Sequence, residues 1–368
     1  MIDRRLITNF DWFLLLILAA LAAVSAVNLY SAASSFGGGG TPVFLKQLYW
    51  FAIGVGAMLV VAMIGHLRLA ALAYTLYGVL ILMLLAVLFW GRVAGGSQRW
   101  LALGPFVLQP SELAKSVVIL VLAAYFKRRD ANDPYTLRQL VIPLGLAALP
   151  AVLILKQPDL GTCLLLMIVA TSVILINGVR LTSLGLAAGS ILAILPVAWR
   201  FMRDYQKRRI FSFLDPESDP LGASYHLIQS KIAVGSGGLT GKGFMMGTQS
   251  QLHFLPEQHT DFAFSVLAEE WGFVGGIIVI ILLSALVTRC LVLAFTAKDR
   301  LSMLVVVGAA ATVFWPAVIN IGMVIGLFPV VGVPLPFISY GGSSMVTVMA
   351  TMGLVQSVAM RRFVFTRQ

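Results

Sequence analysis

Three titratable side chains crowd together near the end of the longest polar stretch in this sequence. The segment FLPEQHTDFAF contains Glu257, His259 and Asp261, and a long apolar run begins at its end. A carboxylate or an imidazole in such a place can accept the proton of an attacking hydroxyl group. Thr260 suits the N-cap of a helix that begins here, and the dipole of that helix would keep Asp261 ionised. The sequence thus indicates Asp261 as a general base, with a purely capping role as the alternative.

The helix expected after this segment carries further features on the same side. Asp261, Ser265, Glu269 and Gly272 are spaced so that they would line one helix face. Gly272 and the two glycines that follow it would let the helix bend.

Two short motifs place charges at the ends of other apolar runs, where a charge is costly and usually has a role. In QPSELAK, Glu112 and Lys115 are three residues apart and share a helix face. They either form a structural ion pair that holds the helix end, or Lys115 meets an anionic group of a substrate. In KQPD, Asp159 either caps the next helix or contacts the substrate.

Cationic residues beside glycines or aromatic rings are candidate contacts to a diphosphate. Arg99 precedes Trp100 in a glycine-rich loop, which suits an anchor at the membrane interface and a diphosphate-sugar contact equally well. Lys231 and Lys242 accompany the glycines between residues 235 and 243. The backbone amides of that run could bind an anion, or the run could be a flexible loop.

Two further segments complete the polar part of the chain. The basic cluster at residues 207–209 lies beside apolar side chains and could bind lipid headgroups or a lipid-linked diphosphate. The closing loop GLFPVVGVPLPFISYGGSS contains prolines that exclude a regular helix. Irregular backbone at membrane depth persists only where it is buried in protein or lines a cavity. We therefore expect this loop, which contains Ser339 and Tyr340 near its end, to form part of a cavity wall.

The composition predicts a polytopic membrane protein. Of its 368 residues, 59% are hydrophobic and only 11% are charged, whereas soluble proteins carry about 25% charged residues. Ten apolar runs, each near the ~20 residues that a bilayer requires, cover about residues 12–30, 46–65, 70–91, 111–126, 140–156, 160–177, 181–199, 262–294, 302–327 and 341–360. We expect an all-α fold with about ten transmembrane helices. Residues 1–368 would form one integral-membrane domain, with residues 200–261 as its one large extracytoplasmic loop.

The net charge of +11 follows from cations spread over short loops. Lys and Arg are concentrated in alternate loops, for example at residues 127–129, and are scarcer in the loops between them. By the positive-inside rule, this bias places both termini in the cytoplasm and residues 200–261 outside. We expect no nucleic-acid partner, because the cations form no single basic patch. The two cysteines lie in apolar runs, where neither a disulfide nor a zinc site is expected.

Longer motifs in the chain together resemble a known family. QPSELAK, QPDLGT, DPESDPLGASYHLIQSKIAVGSGG, GTQSQLHFLPEQHTDFAFSVLAEEWG and PLPFISYGGSS cover much of the sequence in this order. Together they resemble the SEDS family of cell-wall proteins, and the DPESDPLGA and GTQS runs are most similar to its cell-elongation branch. The family's essential aspartate matches Asp261. Its other motif charges match Glu112, Lys115 and Asp159.

The resemblance implies a peptidoglycan glycosyltransferase in the bacterial cytoplasmic (inner) membrane. It would polymerise lipid II at the outer face during cell elongation. The donor would be an undecaprenyl-diphosphate-linked glycan, with Asp261 as general base and undecaprenyl diphosphate as leaving group. The implied partners are a class B penicillin-binding protein, which is a transpeptidase, and the MreB-associated elongation machinery. We expect the substrate to be bound by Arg99, Glu112, Lys115, Asp159, Lys231, Lys242, Glu257, His259, Thr260, Ser339 and Tyr340.

The sequence leaves open which cation stabilises the leaving diphosphate. Lys115, Arg99, Lys231 or the 207–209 cluster could supply the charge, and so could a divalent cation such as Mg²⁺ or Mn²⁺. Two other functions compete with catalysis. A lipid II flippase is disfavoured because the charges gather at one face, whereas alternating access uses a site at the midplane. A scaffold that recruits the transpeptidase would make Asp261 dispensable.

Overall fold

The computed structural model describes residues 8–34, 43–94, 97–103, 106–129, 134–202, 204–216, 224–252, 254–255 and 257–362. The chain ends, and with them the predicted sidedness of the two termini, lie outside these ranges. The elements are, in chain order, α1 (Trp12–Ser34), α2 (Val43–Ile64), α3 (His66–Ala71), α4 (Ala73–Trp90), β1 (Arg92–Ala94), β2 (Ser97–Leu103), β3 (Phe106–Leu108), α5 (Pro110–Lys127), α6 (Leu137–Lys156), α7 (Leu160–Ile176), α8 (Leu181–Phe201), α9 (Asp204–Leu214), α10 (Tyr225–Ser236), α11 (Thr248–Gln251), α12 (Ala263–Phe295), α13 (Arg300–Val324) and α14 (Gly342–Arg361).

Each of the ten apolar runs of the sequence corresponds to one long helix of the structure, with bounds that differ by a few residues. Within the described residues, seven of these helices are long and apolar enough to cross a membrane, namely α1, α2, α4, α6, α12, α13 and α14. Helix α7 is also apolar but has only 17 residues. Helix α5 carries Glu112 and Lys115 in its first two turns. The chain is therefore a mostly helical, multi-pass membrane protein.

The prediction of an all-α fold is wrong between α4 and α5. There β1, β2 and β3 form a small antiparallel sheet in that order. The sequence contains Gly-Gly and Gly-Pro pairs between the three strands, and both pairs favour tight turns. Arg99 therefore lies on β2, whereas the sequence predicted a glycine-rich loop.

Small residues let the long helices approach one another closely. Helices α2 and α14 pack along each other. A Cβ atom at Gly54 would lie 2.8 Å from the Met349 side chain, and one at Gly353 would lie 2.5 Å from the Met58 carbonyl oxygen. Close backbone approach at small residues is how helices associate in lipid, where apolar burial gives little driving force.

Helix α12 is broken near its beginning, as the glycines of the sequence predicted. Gly272 has φ 62° and ψ −157°, outside the helical region. The break leaves helical carbonyl and amide groups without their usual partners, and the loop after α10 supplies new ones. The new bonds run from Lys242 N to Glu269 O (3.0 Å), Gly243 N to Glu270 O (3.0 Å), Phe273 N to Gly238 O (2.9 Å) and Val274 N to Leu239 O (3.1 Å). The loop therefore completes the backbone hydrogen bonding of the kinked helix.

This docking explains the glycine run between residues 235 and 243. A Cβ at Gly237 would lie 2.0 Å from the Ala268 carbonyl oxygen, and one at Gly241 would lie 2.0 Å from the Glu270 carbonyl oxygen. The amides of Lys242 and Gly243 are already bonded to the helix. The run is therefore an ordered helix contact, and these two amides are not available to an anion.

Replacing Gly241 by alanine should loosen this contact. Gly241 has φ +82°, and the added methyl group would collide with the backbone of α12. We expect Gly241→Ala to lower the free energy of unfolding by about 1–3 kcal/mol, as overpacking does elsewhere. Thermal unfolding in detergent measures the effect. Gly238→Ala is the matched control, because its φ is also positive (+55°) but nothing lies within 4 Å of the added Cβ. Equal losses from both variants would contradict the docking account.

Candidate functional site

Asp261 lies in a turn just before α12, not within the helix. The turn covers residues 257–262 and α12 begins at Ala263. Thr260 is not the N-cap, so that prediction is wrong. Its hydroxyl group donates to the carbonyl oxygen (3.2 Å) and to a carboxylate oxygen (3.0 Å) of Glu257. A threonine hydroxyl often bonds locally in this way, and here Glu257 offers an acceptor that competes with capping.

Hydrogen bonds from other elements hold this turn. The Asn320 side chain of α13 donates to the Asp261 carbonyl oxygen (2.9 Å). The Tyr340 backbone amide donates to the His259 carbonyl oxygen (2.8 Å). The Gln258 side chain in turn donates to the carbonyl oxygen of Ala32 in α1 (2.7 Å). The backbone before α12 is therefore fixed from three directions.

Burial is the main influence on the Asp261 carboxyl group. It raises the pKa of Asp261 from its ordinary value to about 6, and the nearby charge of Glu257 adds to the rise. The charges of Arg209 and Arg99 act in the opposite direction. The predicted dipole of α12 does not offset this rise in pKa, because Asp261 precedes the helix and is partly removed from water.

The carboxylate faces the closing loop, residues 326–341. A Cβ at Gly332 would lie 3.3 Å from Asp261 Oδ2. Gly332 lines a cleft with both polar and apolar walls, formed by Glu112, Lys115, Thr162, Leu165, Thr312, Pro316, Gly332, Val333, Pro334, Pro336, Ser344 and Val348. The closing loop therefore forms a cavity wall, as its prolines predicted.

Glu112 and Lys115 form the ion pair that their spacing predicted. Lys115 Nζ lies 2.8 Å from Glu112 Oε2, and each residue is only 5% exposed. A buried pair of this kind is costly to desolvate and is a poor source of stability. Its place on the cleft wall therefore favours the substrate role, although the structural role that the sequence left open is also real.

Asp159 caps α7 and also meets Arg99. Its carboxylate accepts from the Thr162 amide (3.2 Å), so the capping alternative is confirmed. Arg99 Nη1 lies 3.8 Å from the same oxygen, and the Gln109 side chain donates to the other one (3.3 Å). Because Thr162 lines the cleft, this group of side chains lies beside it.

The two lysines of the glycine-rich region have different surroundings. Lys242 Nζ lies 2.7 Å from Glu269 Oε1 and 2.8 Å from the Thr248 hydroxyl group. Glu269 is fully buried and also accepts from backbone amides of α11. Lys231 is exposed and its stem lies against Gly326. Of the two, only Lys242 has a carboxylate of the described residues within ion-pair distance.

The last three candidates lie where the closing loop meets the turn. Ser339 is buried, and its hydroxyl group accepts from the Leu335 amide (2.9 Å). The rings of His259 and Tyr340 lie 6.1 Å apart. Ser339 therefore stabilises the loop, while the two rings form its contact with the turn.

Asn320 is the residue that the sequence analysis missed. It is fully buried and donates to the carbonyl oxygens of Asp261 and Val333. The available signal was a lone amide inside an apolar run, where a polar side chain usually bonds to another helix or marks a functional site.

No metal-binding group is present among the described residues. No three His, Cys, Asp or Glu side chains lie close enough together to hold an ion.

The raised pKa of Asp261 predicts that its charge costs stability. Well below pH 4 the group is protonated in both folded and unfolded chains, so no cost arises. Between about pH 4 and about pH 6 the unfolded chain ionises this group while the folded chain keeps its proton, so stability falls over that window and the full cost is present above it. We expect Asp261→Asn to raise the free energy of unfolding by about 1–2 kcal/mol at pH 7.5, less than the full shift because the group is partly exposed. The gain should vanish towards pH 4.

Thermal unfolding in detergent at several pH values measures this difference. Asp204→Asn changes an exposed aspartate of α9 and should produce no gain at any pH. A gain for Asp261→Asn that did not depend on pH would contradict the burial of the ionised carboxylate.

Comparison with known proteins identifies the family of this chain. The family model for the FtsW, RodA and SpoVE cell cycle proteins matches residues 7–363. The chain is 43% identical to the peptidoglycan glycosyltransferase MrdB of Escherichia coli K12, over 96% of this chain and 94% of that protein. It is 32% identical to the peptidoglycan glycosyltransferase RodA of Treponema pallidum, over 97% and 99%.

Solved structures are similar over the same length. A chain from work on the structural coordination of polymerization and crosslinking by a peptidoglycan synthase complex has a TM-score of 0.83 and 34% identity, with 97% of this chain and 99% of that chain covered. The rod shape determining protein RodA of Thermus thermophilus has a TM-score of 0.72 and 31% identity, over 97% and 98%. The resemblance predicted from the motifs is confirmed, and the chain belongs to the FtsW/RodA/SpoVE family.

Proposed function

We propose that this chain is a peptidoglycan glycosyltransferase that joins the disaccharide units of lipid II into glycan strands during cell elongation. Its relatives carry that enzyme name over nearly the whole chain. The observation that carries the proposal is the position of Asp261. Its half-buried carboxylate, with a pKa of about 6, abuts a cleft whose wall contains Lys115.

The proposed topology places this cleft at the outer face of the bacterial cytoplasmic (inner) membrane. All ten long helices would cross the bilayer, with both termini in the cytoplasm. Residues 200–261 would form the extracytoplasmic loop of a single domain, residues 1–368. The distribution of Lys and Arg supports this orientation. The sheet β1–β3, the turn before α12 and the closing loop would then share the outer side.

Catalysis would proceed by one displacement. The 4-hydroxyl oxygen of the N-acetylglucosamine of lipid II attacks C1 of the N-acetylmuramic acid at the end of the growing chain. Asp261 accepts the hydroxyl proton as the new glycosidic bond forms. The bond from C1 to the diphosphate oxygen breaks, and undecaprenyl diphosphate leaves with that electron pair. One displacement inverts C1, so no covalent enzyme intermediate is required.

A base with a pKa of about 6 suits this step. It is largely ionised at neutral pH and still accepts a proton more readily than an ordinary aspartate. Glu257 contributes by raising that pKa and by fixing Thr260. His259 contacts the closing loop through Tyr340. We propose that Glu257, Thr260, His259, Tyr340 and Ser339 shape the site around the base.

The leaving diphosphate carries negative charge that the protein must balance. Lys115 lies on the cleft wall, and Arg99 lies near enough to affect the pKa of Asp261. Arg209, from the 207–209 cluster, also affects the pKa of Asp261. Lys231 is exposed to solvent. We propose these four as the diphosphate contacts. Lys242 holds the loop against Glu269, which favours a supporting role for it.

The proposed partners follow from the reaction. Glycan strands must be crosslinked after polymerisation, and a similar solved chain comes from work on a complex that coordinates the two processes. We propose that this chain works with a class B penicillin-binding protein and with the MreB-associated elongation machinery. A flippase function is less well supported, because Asp261, Arg99 and the cleft charges gather around one group of loops.

Removing the base should abolish polymerisation. We expect purified wild-type protein to polymerise lipid II in detergent, with its transpeptidase partner if needed, and Asp261→Ala to be at least ~100-fold slower while it still folds and binds lipid II. The wild-type rate should fall as the pH drops through about 6. The control Glu257→Gln keeps the base and should move this fall to lower pH. Equal glycan from wild type and Asp261→Ala would return Asp261 to a structural role.

The contribution of the Glu112–Lys115 ion pair to polymerisation can be separated from its contribution to stability. Removing one partner alone leaves a buried charge, which typically costs about 3–5 kcal/mol, whereas replacing both with well-packed hydrophobic side chains of similar volume is often neutral. We therefore expect Glu112→Leu with Lys115→Met to unfold near the wild-type temperature and yet to lose most of its polymerisation rate. A fully active double variant would show that the pair is structural only.

A further inference from the structure

Asn320 uses one side chain to connect two non-helical segments. Its amide nitrogen donates to the Asp261 carbonyl oxygen (2.9 Å) and to the Val333 carbonyl oxygen (2.7 Å). The residue is fully buried, and its amide oxygen has no hydrogen-bond partner among the described residues. Both hydrogens of the amide group are therefore used to hold the turn before α12 against the closing loop.

These two segments carry the parts of the site that must act together. The turn supplies the Asp261 carboxylate, and the closing loop supplies Gly332 and Val333 to the cleft wall. Gly332 has φ +69°, and a Cβ there would lie 3.3 Å from Asp261 Oδ2. The carboxylate therefore lies against the loop at a point where the backbone carries no side chain.

We propose that Asn320 is a positioning residue that sets the distance between the Asp261 carboxylate and the cleft. This inference rests on the proposed role of Asp261 as the base. The two bonds of Asn320 hold the Asp261 carbonyl and the carbonyl of Val333, the residue after Gly332, on one donor group. A small displacement of a reacting group can reduce a rate by about 100-fold, so this connection matters more than an ordinary structural hydrogen bond.

Asn28 provides a matched comparison within the same chain. It is also buried, it donates to the Ala263 carbonyl oxygen at 2.9 Å, and its amide oxygen also lacks a partner among the described residues. Its bond joins α1 to the first residue of α12 and does not reach the closing loop. Asn28 and Asn320 thus make similar bonds to carbonyls two residues apart, but only Asn320 connects the base to the cleft.

The pH dependence of the rate reports where the carboxylate lies. The groups whose charges act on Asp261 are Glu257 in its own turn, Arg209 in α9 and Arg99 in β2. None of them bonds to Asn320, so its replacement leaves all three in place. If the carboxylate moves away from the loop towards water, its desolvation decreases and its pKa falls. The acid limb of the pH–rate profile, where the rate drops as the base becomes protonated, then moves to lower pH.

The experiment compares Asn320→Leu with Asn28→Leu in the full-length protein. Each change removes a buried amide of similar size. Asn320→Leu leaves two carbonyl oxygens without their donor, and Asn28→Leu leaves one. Polymerisation of lipid II is measured across pH 4.5 to 8 in detergent (~0.5-unit steps, the scale on which a pKa shift is resolved), together with lipid II binding and thermal unfolding. We expect both variants to lose thermal stability, with the larger loss in Asn320→Leu, which removes two hydrogen bonds. Asn320→Leu should lower kcat by about 10- to 100-fold with lipid II still bound, and should move the acid limb to lower pH.

Asn28→Leu should keep the wild-type acid limb. Identical acid limbs and equal rate losses in the two variants would overturn the proposal. Should Asn320→Leu fail to fold, Gly332→Ala decides the question, because its methyl group would press on Asp261 Oδ2. Its control is Gly178→Ala, which also has a positive φ (+83°) but nothing within 4 Å of the added Cβ.

We expect Gly332→Ala to lower kcat by at least ~10-fold with lipid II binding intact, and Gly178→Ala to keep the wild-type rate. A fully active Gly332→Ala variant would overturn the proposal. Full activity of Asp261→Asn would instead overturn the proposed function, so the two failures can be told apart.

Discussion

The hydrogen bonds that fix the turn at residues 257–262 are the constraint on which the rest of the site depends. Their partners come from α1, α13 and the closing loop, which are separate parts of the sequence. In a membrane protein, backbone groups outside helices must find partners within the protein. The polar groups of this turn meet that requirement by bonding to three other parts of the bundle, and the same bonds place Asp261 at the cleft.

The structure keeps ionisable groups in places where they cost stability. Burial raises the pKa of Asp261, and the ion pair of Glu112 and Lys115 is almost completely removed from water. Such groups are retained where chemistry requires them. The break at Gly272 also departs from the most stable local arrangement. Regular hydrogen bonds of the helix are lost there, and backbone groups of a glycine-rich loop replace them. That loop is thereby fixed to the helix that follows Asp261.

Local signals in the sequence predicted much of this arrangement. Apolar runs gave the positions of the ten long helices, three-residue spacing gave the pair of Glu112 and Lys115, and proline content gave the cavity wall. One failure is a competing local hydrogen bond, and another is a contact between distant residues. Thr260 bonds to Glu257 instead of capping α12, and Asn320 acts on a turn 59 residues away in the chain. Whether an amide in an apolar helix meets a catalytic turn depends on packing, which no local pattern contains.

The central claim is that burial against the closing loop turns Asp261 into a base with a raised pKa. Difference infrared spectroscopy tests it directly, because the carboxyl band of wild type minus that of Asp261→Asn isolates this one group. A titration of the full-length protein in detergent should show protonation with a midpoint near pH 6. A midpoint near pH 4, the value of an ordinary exposed aspartate, would contradict the account.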